Sequence, residues 1–432
     1  SPSPSTTRPL TTPARRLAFI MKTITSMVAL LPLTAAFTPS SFTARTARHA
    51  AARRVTTVPS AVPTMVASAE PAAKPQRRTL PPVLGGLKAG NKKLCVITGA
   101  SSGLGLSAAR EMCEKDDYFV ICAVRDVDKM RSEAAAQGMD EKKYAIIECD
   151  LASFQSIKDF VFDLKAFKSS RPLDRLVCNA AVYLPKDPLP KYSEDGYEMS
   201  MAVNHLGHFL LCNLLIDDMA KSKDARCVIV GSITGNSNTV GGGLVYPRAD
   251  VGQFQGWVQD NGEGKKIEMI DGKGFFGAKA YKDSKVCNMM TVSELHRRYH
   301  DKTGITFSSL YPGCIAETAL FREKRQWFRK GFPLFMKYVT GGYVSEQEAG
   351  ERLAQVIDDD LCKKSGVYWS WNGNAKQVGL YDPKTKTVSG AGGSGGEIFE
   401  NDQSNQVTDI ERAGRMFDLS SKLCGVEWPE FK

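Results

Sequence analysis

From Lys92 onward, short runs of consecutive apolar residues alternate with segments whose apolar positions recur every three or four residues. The runs predict strands at Leu94–Thr98, Tyr118–Val124, Tyr144–Cys149, Asp174–Cys178, Arg226–Val230 and Thr306–Tyr311. Helical patterns fall between them, at Leu104–Lys115, Val127–Gln137, Ser153–Phe167, about Asp195–Ala220 and Lys279–Tyr299, with a last one near Ile410–Leu423. Ser153 stands where an N-cap is expected. Strands that are apolar along their whole length belong to parallel sheets covered on both faces. The pattern therefore predicts an α/β fold: a doubly wound parallel sheet in a single domain over residues 92–432. Right-handed crossovers put a ligand of such a sheet beyond the carboxyl ends of its strands.

Three segments break the rhythm. Residues 235–278 are Gly-rich and polar, and form a long insertion ahead of the helix at Lys279. Residues 318–340 interleave aromatic and basic side chains, among them Phe321, Trp327, Phe332, Arg325 and Lys330, and read as an amphipathic lid or as core packing. The run Gly390–Gly396, within residues 386–402, reads as a surface insertion.

The chain of 432 residues is 42% hydrophobic and 24% charged, which excludes a mostly disordered or all-membrane protein. Its net charge of +10 lies outside the alternating region. Residues 1–80 carry eleven Lys/Arg and one acid, Glu70, so the remaining 46 bases and 46 acids balance. A nucleic-acid footprint on the folded part loses its support. Within the leader, Met21-Lys22 precedes an apolar run, Met27 to Ala36, too short to span a bilayer and suited to a signal peptide. Residues 38–80 then have the Ser-, Thr-, Ala- and Arg-rich composition of a transit peptide. Together they resemble the bipartite plastid leader of algae with complex plastids, with Met21 as the expected initiator. The alternative is a disordered basic tail. No later stretch is expected to cross a membrane. Eleven scattered cysteines with no CxxC pair predict buried, reduced thiols, and no metal site is expected.

The candidate chemistry lies where strands end. Strand Leu94–Thr98 runs into Gly99-Ala100-Ser101-Ser102-Gly103-Leu104-Gly105 and then a helix. Such a turn lets backbone approach a pyrophosphate and points free helix N–H groups at it. Arg125, with Lys129 one turn on, follows the second strand and suits the 2′-phosphate of NADPH; Asp126 would instead suit NAD. Tyr281 and Lys285 are four residues apart on a predicted helix and share a face. An ammonium beside a phenol is expected to lower its pKa and make it a usable acid, while Lys285 also holds the nicotinamide ribose of the cofactor.

These motifs, with Asn204 and Ser232 in register, resemble the short-chain dehydrogenase superfamily. The resemblance implies an adenine contact at Asp150 and Leu151, and cofactor contacts at Asn179, Ala180, Pro312 and Gly313. His205 and His208 are expected to pack or bond backbone. Over roughly residues 92–432 the chain resembles, more narrowly, the light-dependent protochlorophyllide oxidoreductase family. The segments Val177–Tyr183, Asn204–Leu211, Gly231–Asn236 and Tyr311–Thr318 carry that resemblance. It implies light-driven, NADPH-dependent reduction of the ring-D double bond of protochlorophyllide to chlorophyllide. Tyr281 is the expected proton donor and Cys314 the other candidate. Thr234 and Tyr311 are expected at the pigment, and the role of Ser232 is left open because no carbonyl needs polarising. The resemblance also implies a plastid, stroma-side location, peripheral contact with thylakoid or inner-membrane lipids, and a homo-oligomer. The same residues would serve a dark-active carbonyl or retinol-type reductase. A pigment-binding membrane scaffold without turnover is the remaining alternative.

Overall fold

The computed structural model describes residues 88–243, 246–258, 266–315, 334, 342–373, 380–382, 387–389 and 392–431. The leader, and the 318–340 lid apart from Leu334, lie outside the described residues. Among the described residues, eight strands form one sheet. They are β1 (Lys93–Thr98), β2 (Tyr118–Val124), β3 (Tyr144–Glu148), β4 (Arg175–Cys178), β5 (Arg226–Val230), β6 (Thr306–Leu310), β7 (Val367–Trp371) and β10 (Ile398–Glu400). A separate hairpin pairs β8 (Leu380–Asp382) with β9 (Thr387–Ser389). The sheet order is β10-β7-β6-β5-β4-β1-β2-β3, parallel throughout except for β10 on β7. Strand order reverses between β1 and β4, where a ligand crevice is expected in this architecture.

Side-chain alternation along each strand feeds two cores. On one face Val96, Ile121, Leu176 and Ile229 pack under α3 (Phe154–Lys168), α4 (Met199–Met219), α5 (Gly277–Thr303) and α7 (Ile410–Cys424). On the other, Ile97, Val120, Val177 and Val228 pack under α1 (Gly103–Glu114), α2 (Val127–Ala136) and α6 (Glu346–Asp358). Burial on both faces explains why the strands read as unbroken apolar runs. The amino ends of the strands are tied by charge instead. Arg175 donates to Asp224 Oδ2 at 2.8 Å and to the Ile357 carbonyl at 2.7 Å, and Tyr118 donates to Asp358 at 2.5 Å.

One expectation needs correction. The helix expected from Asp195 begins at Met199, because Glu198 caps it, accepting from the N–H groups of Ser200 and Met201 at 3.0 and 2.9 Å. The same helix is long and apolar enough to cross a membrane, and it is buried in the core. The Gly-rich insertion, where described, folds back onto the core. Phe254, Trp257 and Ile270 enter the core. Lys279 pairs with Asp271 and Asp283 at 2.9 and 2.5 Å, and Lys282 donates to the Pro247 carbonyl at 2.7 Å.

Helix α6 lies so close on α1 that a Cβ at Gly350 would overlap Ser107. Gly350→Ala is expected to cost roughly 1–3 kcal/mol of stability by overpacking. Thermal and denaturant melts measure it, and an unchanged midpoint would show that the contact is loose.

Candidate active site

Thr98 closes β1, and its buried hydroxyl organises the switch point. Thr98 Oγ1 accepts from the N–H groups of Asn179 and Ala180 at 2.9 and 3.0 Å and meets His208 Nε2 at 2.8 Å. His208 Nδ1 lies 2.9 Å from the Asn204 carbonyl, so it carries the proton, and Thr98 donates to Nε2. Burial lowers the His208 pKa to about 4, so the ring is neutral. Asn204 stands in a π turn, Ala202–Leu206, inside α4. Its side chain accepts from the Val182 N–H at 2.8 Å and donates to the Val182 carbonyl at 3.1 Å and to Ser284 Oγ at 3.0 Å. These bonds shape the Asn179–Tyr183 segment that leaves β4.

A cleft of 440 Å³ opens on this framework, and every expected site residue except Asn204 lines it. Asn204 is fully buried behind the wall, which makes it a positioning residue. At one end lie Gly99 and Ser101–Gly105. A Cβ on Gly105 would overlap the Gly99 carbonyl oxygen and Asn179 Nδ2, so the turn tolerates no larger residue. Ser102, the residue before α1, makes no side-chain cap, which leaves the first N–H groups of that helix for a ligand. The cradle fits a pyrophosphate. Arg125 and Lys129 line the cleft at the end of β2. Asp126, the residue that would suit NAD, accepts from the Lys129 N–H at 2.9 Å as the cap of α2. The cationic pair is therefore the better reading of this end, in favour of a 2′-phosphate. Asp150 and Leu151, just past β3, also line the cleft, with Asp150 accepting from the Ala152 N–H at 2.9 Å.

At the other end the wall comprises Ser232–Thr234, Tyr281, Lys285 and Tyr311–Ile315. Ser232 Oγ lies 2.8 Å from Thr234 Oγ1 and also hydrogen-bonds Tyr281. The Tyr183 and Tyr281 rings meet with centroids 4.9 Å apart. Lys285 is 2% exposed and donates to the Val230 carbonyl at 2.8 Å, with its Nζ 5.9 Å from the Tyr281 ring centroid. The expectation that Lys285 acidifies Tyr281 is overturned. Burial raises the phenol well above its ordinary value, and the Ser232 hydrogen bond only moderates this. Burial also lowers Lys285 to about 8. Of the eleven cysteines, all free, ten are buried and Cys314 is partly exposed. Burial pushes the Cys314 thiol up to about 12. Tyr183, Lys282, His208 and Thr98 belong to the site or its frame without having been singled out for it from sequence. For His208 a signal existed, since a histidine buried in an apolar helix needs partners on both nitrogens.

A short chain dehydrogenase family model matches residues 93–249. The chain is 50% identical over 341 residues to a protochlorophyllide reductase of Marchantia paleacea, covering 78% of this chain and 69% of that one. It is 49% identical over 343 residues to the protochlorophyllide reductase of Daucus carota, covering 79% and 80%. The chain belongs to the protochlorophyllide reductase family. Among solved structures, an uncharacterized protein from Mycobacterium paratuberculosis is 23% identical with a TM-score of 0.51, covering 78% of this chain and 96% of that one. That likeness carries the fold of the family and nothing more.

The Lys285 shift has a definite sign. Between about 8 and the ordinary 10.5 the unfolded chain holds a proton that the folded chain has lost. Burial of Lys285 therefore weighs against folding below pH 8, and the penalty fades as pH rises toward 10.5. The Tm difference between Lys285→Met and the parent, measured without added cofactor, is expected to shift in the parent's favour from pH 8 to 10. A gap independent of pH would contradict the assignment.

Proposed function

We propose that the protein catalyses light-driven, NADPH-dependent trans-reduction of the C17=C18 double bond of protochlorophyllide, giving chlorophyllide for chlorophyll biosynthesis in the plastid. The observation that carries this reading is one cleft, in a chain of this family, joining a pyrophosphate cradle to the Tyr281–Ser232–Lys285 group. NADPH held in this cleft would supply the hydride. The chain's own groups bind, orient and protonate.

The uncapped start of α1 and the Gly99–Gly105 turn hold the pyrophosphate, and Arg125 with Lys129 holds the 2′-phosphate. Asp150 and Leu151 border the adenine, and Asn179, Ala180, Pro312 and Gly313 shape the path to the nicotinamide. Tyr281 delivers the proton to the pigment carbon next to the one that receives hydride. Its phenol is neutral at physiological pH, so a proton is always available. The phenolate left behind keeps the Ser232 hydroxyl as a hydrogen-bond donor. The Cys314 thiol is a weaker candidate, because burial alone governs it and no charge compensates a thiolate there among the described residues. Thr234 and Tyr311 border the pigment beside Ser232. The basic, aromatic 318–340 segment suits peripheral contact with anionic plastid lipids and pigment cover. Self-association into a homo-oligomer and cleavage of the 1–80 leader complete the proposal.

A ring C=C bond is a poor hydride acceptor in its ground state, which is why excitation must supply the reactivity and the protein the geometry. The purified chain, mixed with NADPH and protochlorophyllide, is expected to yield chlorophyllide after a flash and none in darkness, with NADH a poor substitute. Tyr281→Phe is expected to retain cofactor binding while flash yield falls roughly 10²-fold or more. Turnover independent of light would favour a carbonyl-type reductase. A stable pigment complex without product would favour a scaffold.

A further inference from the structure

Cys314 and Tyr343 meet as an isolated parallel bridge at the cleft wall, with the Val344 N–H donating to the Cys314 carbonyl at 3.1 Å. Behind that bridge lies Arg352 of α6, 4% exposed. Its Nη1 donates to the Pro312 carbonyl at 2.9 Å. Its Nη2 reaches Glu348 Oε1 at 2.7 Å and the carbonyls of Gly393 and Gly395, each at 2.9 Å. Glu348 in turn accepts from the Gly395 N–H at 2.7 Å and from the Ser394 hydroxyl. The Ser394 N–H donates to the Tyr343 carbonyl at 3.0 Å.

The segment expected to be a surface insertion is thus joined to the cleft wall by two routes, and Gly392 and Gly393 are buried. One route runs through Arg352 to Pro312, the other through Tyr343 to Cys314. Gly313 sits between them with φ +120°, where a Cβ would overlap Val344 and come within 3.0 Å of Arg352 Nη1. The wall therefore has no slack toward the clamp. A planar guanidinium can reach Pro312 on one segment, Gly393 and Gly395 on another, and Glu348 on its own helix at once.

We propose that Arg352 and Glu348, with the Gly392–Gly396 segment, form a positioning clamp that fixes the Pro312–Cys314 wall and the Cys314–Tyr343 bridge. The proposal rests on the reading of that wall as part of the reaction site. Neither residue lines the cleft, so both act through the wall. Loosening the clamp admits water to the Cys314 thiol, and a thiol freed from burial forms thiolate more readily.

The test is alkylation of the full chain by iodoacetamide at pH 8, well below the melting temperature, with the label located by mass spectrometry. Arg352→Lys and Glu348→Gln are each expected to raise the Cys314 labelling rate roughly tenfold or more, through a larger thiolate fraction. The double variant is expected to add little further, since the pair acts as a unit. Asp358→Ala, at the far end of α6, removes the bonds to Tyr118 and Lys115 and serves as the control. It is expected to lower Tm without changing the Cys314 rate. Parent-like labelling in both clamp variants, or equal acceleration in Asp358→Ala, would overturn the clamp. Should Arg352→Lys fail to fold, Glu348→Gln and Ser394→Ala decide the matter by the same rate. The readout needs neither pigment nor light, so it stands or falls separately from the flash assay.

Discussion

An ammonium taken out of water at the carboxyl ends of β4 and β5 is the constraint on which the site turns. Lys285 lies under the cleft with the Val230 carbonyl as acceptor, and burial brings its pKa down to about 8. Such a group tolerates little displacement, because the desolvation of a charge is offset only by well-placed dipoles. Helix α5 must therefore be fixed along its first turns. The Lys279–Asp271–Asp283 ion group and the Lys282 bond to Pro247 supply that fixation, and they bind the glycine-rich insertion to the same helix. The insertion and the catalytic helix are one mechanical unit.

The same desolvation keeps the remaining groups uncharged. Tyr281, Cys314 and His208 are all held in their neutral forms. A site of neutral donors suits a reaction whose driving force enters as light. No side chain must be a strong base or nucleophile, and what matters is a proton at the right place when the excited pigment accepts hydride. Arg125 and Lys129 line the other end of the cleft, where the proposed function puts the 2′-phosphate.

The sheet was legible because parallel strands buried on both faces leave unbroken apolar runs. The glycine turn was legible because close backbone approach excludes every side chain at Gly105. Helix α6 and strands β7 and β10 went unread, although Ser345 and Glu348 carry the spacing of a capping box and Ser345 Oγ accepts the Glu348 N–H at 3.1 Å. Val367–Trp371 is a β-branched and aromatic run of the kind a strand requires. The structure gathers the expected site residues around one cleft, but two of them differ from expectation in depth or charge environment. Asn204 acts from behind the wall, since spacing along the chain says nothing of depth. The Tyr281–Lys285 spacing puts both on one face, yet burial, which spacing does not reveal, outweighs the charge of the amine.

That balance between burial and charge can be measured directly by titrating the phenol of Tyr281. Carbon-13 at the tyrosine ζ position, with the signal assigned by its loss in Tyr281→Phe, reports ionisation of that one ring. The account predicts a neutral phenol at every pH up to about 10, the ordinary tyrosine value. A phenolate appearing near pH 7–8 would contradict it and return the acidifying role to Lys285.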